Sequence, residues 1–156
     1  MVVSNVAVKI SAALAAPPAV ARDLWLQRTW ATGGGLPIIV LPRPDNKRFI
    51  LPPLLEEQLV EDDSSSTDVK YVVTGKGTLF DLEDDSHSAT VSFEPQPDGN
   101  TLLTWDVRFG VTQGAALYEA LTKATVGGSV THLTGTGGAL LIIQRTSLIR
   151  ADIHYW

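Results

Sequence analysis

Apolar and polar positions alternate along much of the chain, most clearly at residues 101–109 (TLLTWDVRF), where Leu103, Trp105, Val107 and Phe109 alternate with Thr104, Asp106 and Arg108. A period of two predicts a strand with one apolar and one polar face. Asp98-Gly99-Asn100 ahead of it is a turn signal, and residues 86–94 form another alternating run. The two runs are therefore expected to pair as an antiparallel hairpin. Beyond Phe109 the period changes. Ala116, Leu117, Ala120, Leu121 and Ala124 recur at helical spacing and predict a helix over about 113–132 with that stripe inward. Gly127 and Gly128 lie inside it, each costing roughly 1 kcal/mol relative to alanine, so a kink or local fraying is expected there.

The earlier chain reads in the same terms. Val6, Val8 and Ile10 alternate with Ala7, Lys9 and Ser11 as a first strand. Pro17-Pro18 ends it and opens a helix carrying Val20 and Leu24, with Trp25 and Trp30 nearby. Gly33, Gly34 and Gly35 break that helix. They carry neither a GK[ST] ending nor a GxGxxG pattern, and they follow a helix rather than precede one, so they read as a flexible connection. Residues 36–41 lie between prolines and suit a short edge strand. Strands at 48–51, 54–61 and 69–73 follow, then an acidic loop at 79–85. Residues 139–156 are apolar at 140–143 and 148–149, which leaves an extra strand, a second helix or an interface segment open. The whole is an α+β pattern, a curved antiparallel sheet of about six or seven strands and a long helix across it. Residues 1–138 form the expected domain and 139–156 a C-terminal tail.

Bulk properties narrow the function. A chain of 156 residues suits one domain with a real core. The formal net charge of -5, without a basic stripe, argues against nucleic-acid binding. The absence of cysteine excludes disulfides and thiolate metal sites. His87, His132 and His154 are scattered without HxH or HExxH spacing, so no metal centre is expected. Residues 2–16 are apolar, but Ser4, Asn5, Lys9 and Ser11 interrupt them and no basic segment precedes them, unlike a signal peptide. No run approaches the roughly 20 apolar residues of a membrane span. A soluble, cytoplasmic protein is the expectation.

The order strand, helical region, about six strands, long helix resembles the START/Bet v 1-like superfamily, also called SRPBCC or polyketide cyclase/dehydrase–lipid transport proteins. Four features carry the resemblance over about residues 4–134: Ala16-Pro17-Pro18 followed by Trp25; Glu57-Gln58-Leu59 followed by Asp62-Asp63; the strand of Tyr71; and SATVSFEP followed by Gly99-x-Thr101-x-x-x-Trp105. The Gly33–Gly35 triplet and the tail after Gly138 depart from the pattern. The resemblance implies a helix-grip fold, a sheet wrapped around a long C-terminal helix, with an apolar cavity between them. Many such proteins bind lipids, hormones or polyketides, and some are cyclases, aromatases or dehydratases.

Strand parity then selects the residues that face this cavity. His87 shares parity with Ala89, Val91 and Phe93, Glu57 with Leu55 and Leu59, Tyr71 with Val69 and Val73, and Arg48 with Ile50. With the apolar faces inward, all four polar residues point into the cavity, where a few such groups suit ligand recognition or acid–base chemistry. Each has two readings. His87 is either solvated beside Asp84 and Asp85 or a general acid or base. Glu57 either pairs with Arg48 as a buried ion pair or stays uncharged and donates a proton. Tyr71 is either a wall residue or a catalytic donor. His87, Glu57 and Tyr71 are thus the candidate catalytic residues. Arg48, Trp25, Trp30, Val73, Val91, Phe93, Leu103, Trp105, Phe109, Leu117 and Leu121 are the candidate ligand-binding residues. Asp106 and Arg108 read as an outer-face pair of little energetic weight.

Two functions remain from this reading. One is a cofactor-free enzyme of secondary metabolism that cyclises, dehydrates or isomerises a polyketide, terpenoid or lipid-like molecule. The other is a non-catalytic carrier or sensor of a hydrophobic ligand. An apolar tail would add a homodimer interface to either.

Overall fold

A computed structural model describes residues 2–51, 54–60, 67–77, 79, 81–135 and 141–155, with 134–135 and 141–155 described as backbone alone. Among the described residues, eight strands form a single sheet: β1 (Val2–Leu14), β2 (Ile39–Arg43), β3 (Lys47–Leu51), β4 (Leu55–Val60), β5 (Val69–Gly75), β6 (Ser88–Pro95), β7 (Thr101–Val111) and β8 (Leu141–Tyr155). Their spatial order is β2-β3-β4-β5-β6-β7-β1-β8, with every neighbouring pair antiparallel. The sheet is curved and grips a long C-terminal helix, α2 (Ala115–Gly135). The expected hairpin is β6–β7, with Val91 opposite Trp105 and Phe93 opposite Leu103.

β1 is longer than the run at residues 6–11 suggests, because the alternation continues through Ala12 and Leu14, both buried. It pairs with β7 from Ser4↔Val111 to Leu14↔Thr101. On its other side runs the backbone of β8, so the C-terminal segment adds an eighth strand.

Between β1 and β2 the chain makes α1 (Pro18–Trp25), with proline in its first turn, followed by a π-helical turn over Leu26–Trp30. The glycine triplet after it is a defined close contact where the sequence suggested a flexible connection. Gly33, Gly34 and Gly35 have φ of 87°, 66° and 77°, a region costly for residues with a Cβ. A Cβ on Gly34 would also stand 2.8 Å from Ser129 Oγ, so loop backbone lies directly on α2.

α2 runs as one continuous helix through Gly127 and Gly128. Both glycines are points of close approach: a Cβ at Gly127 would be 3.5 Å from Ile10, and one at Gly128 3.1 Å from Leu36. The face of α2 also differs from the expectation. Leu117 and Leu121 are 61% and 53% exposed, and Ala116, Ala120 and Ala124 are exposed with them. The buried positions are Glu119, Val126, Ser129, Val130 and Leu133. Apolar residues surround this helix, so periodicity did not single out one face. Its C-terminal half packs on β1, and Tyr118 in its N-terminal half lies against Phe109 of β7.

α1 covers part of β6 and β7, where Trp25, Val91 and Leu103 are fully buried or nearly so, with Phe93 beside them; Ile10 and Leu14 of β1 are buried in the same core. Hence the inner face of β6–β7 is divided. Its Phe93–Leu103 end is closed by α1, and its Val107–Phe109 end opens into a cavity.

Candidate functional site

The cavity lies between the sheet, α2 and the loop at residues 29–38, and holds about 320 Å³. Its walls are mainly apolar and aromatic: Ile50, Leu55, Val73, Trp105, Val107 and Phe109 come from strands, and Tyr118 and Val126 from α2. Four polar side chains converge on it from neighbouring strands, namely Arg48, Glu57, Tyr71 and His87.

Arg48 on β3 faces Glu57 on β4 directly in the antiparallel register. Nε donates to Glu57 Oε1 at 2.9 Å, and Nη2 lies 2.8 Å from the same oxygen. Nη1 donates to the carbonyls of Thr29, at 3.2 Å, and of Trp30. These carbonyls lie at the end of the π-helical turn, and that of Thr29 also accepts from Gly33 N–H at 3.0 Å. The guanidinium also stacks 4.0 Å above the Trp30 ring. Both charged residues are buried, at 6% and 5% exposure, so the pair is one that needs this full set of partners.

Tyr71 on β5 accepts a 3.1 Å hydrogen bond from Trp105 Nε1 and keeps its own proton to donate. Burial, reinforced by the negative charge of Glu57, pushes its phenol well above the usual tyrosine range. It therefore stays a neutral donor. Its ring lies 5.4 Å from Trp30 and 5.8 Å from His87.

His87 sits just before β6, half-buried and stacked 6.1 Å from Phe109. Its Nδ1 is buried with no hydrogen-bond partner among the described residues. Burial lowers its pKa below 6.5, with the nearby Glu57 charge acting in the opposite direction. The imidazole is thus neutral near pH 7, with one nitrogen able to accept and the other to donate. It also borders a second, polar pocket of about 180 Å³ lined by Lys76, Glu83, Asp84 and Asp85. Lys76 there pairs with Asp84 at 2.8 Å.

Eight of the residues selected from the sequence line the cavity: Arg48, Glu57, Tyr71, His87, Val73, Trp105, Phe109 and Leu121. Trp25 and Trp30 stand behind that wall. Trp25 is fully buried against Trp105 at 5.4 Å, and Trp30 carries Arg48. Val91, Phe93 and Leu103 belong to the core under α1, and Leu117 points to solvent. Several lining residues were not singled out. Ile50, Leu55 and Val107 share parity with residues that were, so alternation could have found them. Thr29, Thr122, Thr125 and Ser129 could not be found that way, since polar residues on a helix read as solvent-facing. Thr29 Oγ1 is buried without a partner among the described residues.

Among the described residues, no group of three or more His, Asp or Glu side chains is placed to hold a metal ion. No described helix is long and apolar enough to cross a membrane. Outside the cavity, Arg108 and Asp106 form the expected exposed pair, with hydrogen bonds of 3.0 and 3.2 Å.

No family model and no curated protein sequence matches the chain. Its fold, however, is that of many solved structures. Norcoclaurine synthase from Thalictrum flavum superposes with a TM-score of 0.62 at 10% identity, over 84% of this chain and 85% of that one. A START superfamily protein from Mycobacterium smegmatis gives 0.59 at 12% identity, over 83% and 95%. A Streptomyces aromatase/cyclase gives 0.60 at 11% identity, over 84% and 92%. At such identities the likeness concerns the fold.

Proposed function

We propose that this chain, a START/Bet v 1-like helix-grip fold, binds a small and largely apolar metabolite in its internal cavity. The observation that carries the proposal is an apolar, aromatic-walled space of about 320 Å³ on which Arg48, Glu57, Tyr71 and His87 converge. That combination is what small-molecule sites share, at the lower end of their usual range of about 300–1,000 Å³. Polyketide, terpenoid or lipid-like molecules fit such walls. Native mass spectrometry of the protein purified from its own host tests the proposal. A bound small molecule in one-to-one ratio is expected. A protein that is empty, and stays empty when host lipid and metabolite extracts are added, would contradict it.

A second reading adds catalysis, and the pairing of His87 with Tyr71 favours it. A neutral imidazole and a protonated phenol within 5.8 Å between ring centres form an acid–base pair in a largely apolar space. His87 would take a proton from the substrate while Tyr71 donates to a carbonyl oxygen that gains charge. Cofactor-free cyclisation, dehydration or isomerisation fits this equipment. The same fold serves proteins named as a synthase and as an aromatase/cyclase. In a carrier or sensor, the same groups would only orient the ligand. His87→Ala separates the two: a carrier loses affinity modestly, and an enzyme loses turnover by about 10²-fold or more with binding retained.

A further inference from the structure

We infer that Glu57 determines ligand charge: by closing Arg48 off from the cavity, it makes the site select neutral, donor-bearing apolar molecules and reject organic anions. The inference rests on the reading above, that the cavity takes a ligand. Arg48 is the natural anchor for a carboxylate, because its fork of N–H groups matches two oxygens at once. Here four of the five N–H groups are already engaged. Nε and Nη2 converge on Glu57 Oε1, Nη1 serves the Thr29 and Trp30 carbonyls, and one face of the guanidinium lies on Trp30. The pair carries no net charge. No other lysine, arginine, aspartate or glutamate is among the described residues lining the cavity. An anion entering would lose its hydration and meet a carboxylate beside a committed cation. A hydroxyl, by contrast, finds acceptors. Both contacts of Glu57 with Arg48 fall on Oε1, which leaves Oε2, and Thr29 Oγ1 and His87 Nδ1 have no partner among the described residues.

A matched pair of fluorescent probes tests this: anthracenemethanol, which is neutral, and anthracenecarboxylate, which has the same ring and a negative charge. Both are titrated near neutral pH into the full chain, its Glu57→Gln variant, and the double variant Arg48→Leu/Glu57→Leu. Wild type is expected to favour the alcohol. In Glu57→Gln the Arg48 charge is uncompensated, so the preference should move toward the carboxylate by about tenfold or more. The double variant, which removes both charges together, should still favour the alcohol, since Thr29 Oγ1 and His87 Nδ1 remain as acceptors. An unchanged preference in folded Glu57→Gln would overturn the inference. So would a double variant that binds the carboxylate about tenfold more weakly than wild type, since Arg48 would then have been reaching the ligand. If Glu57→Gln does not fold, the double variant alone decides. Equal binding of both probes by wild type overturns this inference and leaves the cavity reading intact, whereas binding of neither overturns both.

Discussion

Arg48 and Glu57 stand directly opposite each other on β3 and β4, and their 2.8 Å ion pair is buried in the cavity wall. It ties the sheet to the end of the π-helical turn through the Thr29 and Trp30 carbonyls. Removing one partner leaves a buried charge without compensation. Arg48→Ala and Glu57→Ala should each lose about 3–5 kcal/mol, and Arg48→Leu/Glu57→Leu clearly less than either. Urea denaturation of the three variants measures this. A double variant as unstable as the worse single one would contradict it.

Tyr71 and Trp105 are joined by a buried hydrogen bond between the hydroxyl and the indole nitrogen. Tyr71→Phe leaves the Trp105 N–H buried with no acceptor, which costs about 1–3 kcal/mol. Thermal unfolding should show the loss. An unchanged midpoint would mean that another acceptor takes over.

His87 links stability to pH. Its pKa in the folded protein is below 6.5, its ordinary value, so between those two values the unfolded chain binds more protons. Stability is therefore complete above about pH 6.5 and falls as pH drops toward the folded pKa. The Glu57 charge tempers the effect without reversing it, and Lys76, Glu83, Asp84 and Asp85 border the imidazole from the polar pocket. Urea midpoints measured across this range should slope more steeply for wild type than for His87→Asn. Parallel slopes would remove His87 as the cause.

The glycine triplet makes a graded prediction. Gly34 has φ of 66° and Ser129 close by, whereas Gly99 has φ of 82° and nothing within 4 Å of a Cβ. Gly99→Ala should cost about 1–2 kcal/mol for backbone strain, and Gly34→Ala more, because α2 must also move. Equal losses at the two sites would mean that the loop yields freely against the helix.

Much of the cavity wall was legible in the sequence, since a strand's period of two assigns faces without knowledge of the fold. Arg48, Glu57, Tyr71, Trp105 and Phe109 all reach the cavity by that rule. Parity identifies a face but not what covers it, which is why Phe93 and Leu103 share the cavity's side of the sheet yet lie in the core under α1. On α2 the rule for helices misled. Leu117 points to solvent and Leu121, though half-exposed, reaches the cavity, while Tyr118, Thr122, Thr125 and Ser129 line it as well. A helix over an open cavity does not need an apolar inner face, so its pattern carries less information than that of a helix on a packed core. The Thr29 and Trp30 carbonyls that hold Arg48 are backbone atoms, which no residue pattern announces.

The central claim is that the cavity is a ligand site, and titration with the neutral apolar fluorophore N-phenylnaphthylamine tests it most directly. Thr122 faces the cavity from α2, so Thr122→Trp should fill the space with little disturbance to the sheet. Wild type should bind one probe per chain saturably, and Thr122→Trp, shown to be folded by its cooperative unfolding, should bind about tenfold more weakly or not at all. Equal saturable binding by both proteins would place the probe elsewhere, and no saturable binding by wild type would contradict the account.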